Sequence, residues 1–62
     1  MDIKIALEHI VSGKNLSQTD SASVFESIMS GNATPSQIGA FLTAIRMKGE
    51  TAEELAGAAI TM

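Results

Sequence analysis

Apolar residues recur three and four positions apart in blocks, and the blocks are separated by glycines. Ile3, Ala6, Leu7, Ile10 and Val11 form one stripe, which predicts a helix over 2–12. Val24, Phe25, Ile28 and Met29 form the expected buried face of a second helix over 18–30, with Ser23, Glu26, Ser27 and Ser30 facing water. Ile38, Phe41, Leu42 and Ile45 stripe a third helix over 35–48. Its opposite side holds Ala40, Ala44 and Met47, so this helix is expected to be covered on two sides. A fourth helix is expected over 52–62, with Leu55, Ala59 and Met62 as its main contacts. No strand-like alternation is present.

The polar residues between the blocks place the ends. Ser17, Thr34 and Thr51 stand where an N-cap side chain would accept an orphan amide. Thr34-Pro35-Ser36-Gln37 and Thr51-Ala52-Glu53-Glu54 read as capping boxes, and Asp20 offers a weaker one to Ser17. Pro35 suits the first helical position, and Ala33 and Ile38 can staple the entry. Asp2 sits at the positive end of the first helix. Gly13, Gly31 and Gly49 each follow a helical block, where a left-handed residue ends a helix without steric cost. No Gly, Asn or Pro closes the fourth helix, so the chain is expected to be a fragment of something longer. The expected fold is all-α, a compact four-helix orthogonal or bundle-like domain over 1–62.

Composition narrows the functions. A chain of 62 residues is one domain at most, yet 45% of it is hydrophobic, which leaves apolar surface for a partner. There is no cysteine, so disulfides and thiolate metal sites are excluded. The net charge is −3, the cations Lys4, Lys14, Arg46 and Lys48 are scattered, and no Trp or Tyr is present. Nucleic-acid binding is therefore disfavoured. No apolar run approaches the roughly 20 residues that span a bilayer. The start does not read as a secretion signal, and the cytoplasm is the expected location.

Catalytic chemistry is not evident. His9 is the lone histidine; it lies off the main stripe beside Ile5 and suits an interface better than a reaction. Glu53 and Glu54 are adjacent, so on a helix they diverge by about 100° and do not converge on a substrate or metal. Their place in a first turn makes them dipole and capping residues. Arg46 and Lys48 complement the end of the third helix in the same way. The glycines match no phosphate-binding loop. Asp20-Ser21 is similar to the modification site of acyl carrier proteins, but Ala22 replaces the leucine of that motif and the acidic helix expected after it is missing.

A more extensive resemblance covers essentially the whole chain. Gly13-Lys14-Asn15-Leu16-Ser17, then Ile28-Met29-Ser30-Gly31, then Thr34-Pro35-Ser36-Gln37-Ile38-Gly39-Ala40-Phe41-Leu42, then Arg46-Met47-Lys48-Gly49-Glu50-Thr51, then Glu53-Glu54-Leu55-Ala56-Gly57 occur in order. This series resembles the N-terminal helical domain of anthranilate phosphoribosyltransferase. Pyrimidine nucleoside phosphorylases begin with a similar domain, but the Arg46–Thr51 segment and Ala56-Gly57 look more like the phosphoribosyltransferase.

The resemblance implies a longer enzyme of tryptophan biosynthesis. That enzyme transfers phosphoribose from phosphoribosyl pyrophosphate to anthranilate with magnesium, on an α/β domain that follows the helical one. It implies no catalytic, cofactor or metal residue in this chain. It implies a homodimer formed through helices of this domain, packed beside the α/β domain; the apolar stripe of the first helix and the two-sided third helix place the expected homodimer contact on helices 1 and 3. Ile5, His9, Ala40, Ala44 and Met47 are the candidate dimer or domain-interface residues, and Gln37 is a cap that can also face an adjoining domain. The alternatives are the N-terminal domain of a pyrimidine nucleoside phosphorylase and a free-standing helical interaction module.

Overall fold

The computed structural model describes residues 1–61. Among them are four helices and no strand: α1 (Ile3–Val11), α2 (Gln18–Met29), α3 (Pro35–Lys48) and α4 (Ala52–Thr61). The fold is all-α.

Each start is built by a side chain that replaces the missing intrahelical acceptor. Asp2 Oδ1 accepts the Ile5 amide at 2.9 Å, and Ser17 Oγ accepts the Asp20 amide at 3.1 Å. Thr34 and Gln37 close a full capping box: Thr34 Oγ1 accepts the Gln37 amide at 3.1 Å, and Gln37 Oε1 accepts the Thr34 amide at 3.0 Å. Thr51 and Glu54 do the same at 3.2 and 2.9 Å. A cap of this kind is worth about 1 kcal/mol.

Two of the stops share one hydrogen-bond pattern. After α1 the Gly13 amide reaches the Ile10 carbonyl and the Lys14 amide reaches back to His9, both at 2.9 Å. After α2 the Gly31 and Asn32 amides reach Ile28 and Ser27 at 3.2 and 3.0 Å. Such a turn needs a left-handed residue, which Gly13 and Gly31 supply with φ of 82° and 79°.

Helices pack as two pairs, α1 against α3 and α2 against α4, with a thinner α1–α2 contact. Ile3, Ala6 and Ile10 of α1, Val24 of α2, and Phe41 and Ile45 of α3 meet in one core. Leu16, in the α1–α2 loop, is a full member of it at 1% exposure. The Phe25 and Phe41 rings meet edge to face at 5.9 Å between centroids, a favourable quadrupole arrangement.

Several positions expected in the core lie outside it. Val11, Met29 and Leu42 are exposed at the margins of their stripes. Three short helices around a small core bury only the middle of each stripe. On α4 the phase itself differs. Leu55 and Ala59 face outward, while Glu54, Gly57 and Ala58 are buried. Met62, the other expected contact, lies outside the described residues.

The reason for the different phase is close approach. A Cβ on Gly57 would stand 2.5 Å from the Gln18 carbonyl oxygen, 2.7 Å from Ser21 Cβ and 2.8 Å from the Ala22 amide nitrogen. The backbone of α4 therefore touches the backbone of α2, as only glycine permits. Polar bonds fix the contact: Ser21 Oγ donates to the Glu54 carbonyl at 2.7 Å, and Thr61 Oγ1 donates to the Ala22 carbonyl at 3.2 Å.

Candidate functional site

Among the described residues, one buried charged cluster lies where the α1–α2 loop, the end of α3 and the start of α4 converge. Glu54 is 2% exposed and Lys48 10%, and their side chains pair at 2.9 Å. Glu54 Oε1 accepts from Lys48 Nζ and the Thr51 amide, both at 2.9 Å, while Oε2 accepts the Leu16 amide at 2.8 Å. Lys48 Nζ also donates to Asn15 Oδ1 and to the Gly49 carbonyl, both at 2.9 Å.

An ammonium has three donors, and all three are used. Burial pushes the Glu54 carboxyl up, but the Leu16 and Thr51 amides and Lys48 more than offset it and hold it below its ordinary value. Neither group is free to bind an anion or move a proton, so this cluster is an internal clamp.

Ser21 is equally closed. It is fully buried and its hydroxyl is committed to α4, so it cannot receive a prosthetic arm in the manner of an acyl carrier protein. Among the described residues no three His, Asp or Glu side chains gather to hold a metal. Among the described residues no helix is long and apolar enough to cross a membrane.

The candidate interface residues fall in two places. Ala44 and Met47 line an open, mainly apolar cleft of about 330 Å³ between the C-terminal ends of α1 and α3, together with Ile10, Val11, Gly13 and Lys48. Met47 is 84% exposed and Val11 72%. Ala44 is half-buried and also packs on the core. Ala40 is exposed on the same flank of α3.

Ile5 and His9 do not join this cleft. Ile5 sits six residues before Val11, which turns it about 120° away around α1. It is 47% exposed, and His9 is half-buried. Sequence reasoning placed Val11 in the core and so missed the apolar residue that completes the cleft. Its place at the edge of the α1 stripe, beside Gly13, was the available signal.

Among the described residues the structure is a glycine-stopped, box-capped helical bundle with an internal charge clamp. The chain belongs to the glycosyl transferase family, helical bundle domain, whose family model matches residues 4–62. Its relatives include an anthranilate phosphoribosyltransferase of Chloroflexus aurantiacus, 56% identical over all of this chain and 18% of that protein. One from Dehalococcoides mccartyi is 60% identical over 97% of this chain and 18% of its own length. One from Cellvibrio japonicus is 53% identical over the whole chain. The resemblance to the helical domain of anthranilate phosphoribosyltransferase thus extends along the full sequence, and the chain spans about a fifth of the length of these relatives. No solved structure matches it.

Proposed function

We propose that this chain is the helical dimerisation and support domain of an anthranilate phosphoribosyltransferase-like enzyme of tryptophan biosynthesis, working in the cytoplasm. The observation that carries this reading is the 56% identity over the whole chain to a protein of that name, of which it spans 18%. In the longer protein, phosphoribose passes from phosphoribosyl pyrophosphate to anthranilate, and the groups that bind both substrates and magnesium lie outside these residues. The role of the chain is mechanical. The Lys48–Glu54 clamp ties α3 and α4 to the α1–α2 loop, so the four helices move as one body.

Dimerisation through α1 and α3 is favoured by the cleft at Val11, Ala44 and Met47. Val11 and Met47 stand in water on a chain this small, where a second copy would remove apolar surface at about 25 cal/mol per Å².

The test is an assay of the longer protein that contains this domain. Anthranilate consumption that requires phosphoribosyl pyrophosphate supports the reading. Phosphate-dependent cleavage of a pyrimidine nucleoside without anthranilate consumption overturns it in favour of a nucleoside phosphorylase. The 62-residue chain alone is expected to consume no anthranilate.

A further inference from the structure

Lys48 belongs to two structures at once. It lines the α1–α3 cleft, and it is the cation of the internal clamp. The other residues that line the cleft, Ile10, Val11, Gly13, Ala44 and Met47, carry no charge. Lys48 is thus the one charged residue among them.

That charge is tied into its own chain. The Lys48 side chain is 10% exposed, and Nζ donates to Glu54 Oε1, Asn15 Oδ1 and the Gly49 carbonyl, each at 2.9 Å. Asn15 and Gly49 supply neutral oxygens, so Glu54 alone supplies the opposite charge. Glu54 is not among the residues that line the cleft, and the Leu16 and Thr51 amides hold its carboxylate in place. The Glu54 side chain is 2% exposed.

A two-fold dimer sets the same patch of each copy against itself. Any charge on the wall of this cleft therefore shares the interface with an identical charge from the second copy. Two ammonium groups without counter-charges would repel one another and would lose water on an apolar surface, and both effects oppose association. With Glu54 in place each copy brings a neutral pair, and the cleft becomes electrically compatible with its own copy.

We infer that Glu54 is a positioning residue for self-association: by holding and neutralising Lys48 within one chain, it lets a second copy of this chain seat at the α1–α3 cleft. The inference rests on the reading above that this cleft is the dimer contact. It goes further in assigning control of the contact to a buried carboxylate outside it.

Sedimentation velocity of the longer protein over a dilution series, at low and at high salt, tests this. The parent is compared with Glu54→Gln, Lys48→Met and the double variant. Glu54→Gln is expected to weaken the dimer by roughly tenfold or more at low salt, as loss of one partner of a buried charge pair does. High salt should recover part of that loss by screening. Lys48→Met breaks the same ion pair but also removes the charge from the cleft, so it should keep the parent's affinity at both salts. The double variant should return to the parent's affinity. An unaltered dimer in Glu54→Gln, or a weakening that Lys48→Met does not rescue, overturns the inference. Should Glu54→Gln fail to fold, Lys48→Met decides: parent affinity supports the inference, and a several-fold change in either direction overturns it. Val11→Glu with Met47→Glu is run alongside. A longer protein that is monomeric, or whose dimer ignores that pair, removes the reading of the cleft as the contact. A dimer that depends on the pair but not on Glu54 removes the inference alone.

Discussion

Glu54 Oε2 accepts the backbone amide of Leu16 at 2.8 Å, across 38 positions of sequence. Leu16 is buried in a loop, where an amide without an acceptor would be expensive. The same carboxylate caps α4 and pairs with Lys48 at the end of α3. One side chain thus satisfies a buried loop, starts a helix and neutralises a nearly buried ammonium.

Replacing Glu54 by Ala should therefore destabilise the domain by about 3 kcal/mol, since it strands both a buried amide and Lys48. A domain of this size has only roughly 3–9 kcal/mol to lose. Urea denaturation of the chain measures the change. Glu53→Ala, at an exposed neighbouring position, should cost under about 1 kcal/mol. Equal losses for the two variants would remove the clamp from the account.

Acid should weaken the fold through the same group. Glu54 is held below its ordinary value of 4.5 when folded. A depressed carboxylate stabilises the folded state above its unfolded pKa, and that contribution is lost as pH falls through the folded one. Thermal melts of the chain should be flat in this contribution near neutrality and decline below about pH 4.5. Glu54→Gln should be less stable at neutral pH and should show a shallower acid decline. A decline of unchanged steepness would assign it to other carboxylates.

The two mid-helix glycines should respond with opposite signs to alanine. Gly39 faces open space, so Gly39→Ala should stabilise by roughly 0.5–1 kcal/mol through helix propensity. At Gly57 the new methyl meets α2 backbone, and Gly57→Ala should destabilise by about 1–3 kcal/mol. Chemical denaturation of both variants against the parent chain checks the pair, and a stabilising Gly57→Ala would mean that α4 does not sit against α2.

Self-association should depend on Val11 and Met47. Both are exposed, so Val11→Glu with Met47→Glu should leave helicity unchanged while reducing any dimer seen by sedimentation velocity at high concentration. Ala44 is a poorer probe, because it also packs on the core and a charge there would disturb folding. An unaltered dimer in the double variant would move the interface elsewhere, with Ile5 and His9 the next positions to test.

Much of this was legible in the sequence because it is local. A cap is a bond across three residues and a glycine stop a bond across a few more, so Thr34–Gln37, Thr51–Glu54, Gly13 and Gly31 announce their structures without reference to the rest of the chain. The candidate interface was legible only in part. Met47 and Ala44 stood out as apolar residues on the wrong side of α3, but Val11 looked like core.

The four starts and the glycine stops after α1 and α2 were therefore determined by the sequence itself, because each depends on a cap or a backbone bond that reaches little further than one turn. The buried faces of α1, α2 and α3 follow their sequence stripes, whereas the face that α4 buries was decided by tertiary structure alone. Leu55 and Glu54 compete for the inside of α4, and hydrophobicity by itself favours Leu55. Gly57 allows a backbone approach that only one rotation of the helix can use, and that rotation carries Glu54 inward to Leu16 and Lys48. The energy of a fully partnered carboxylate and a close-packed backbone is a property of three segments at once, and no single segment records it.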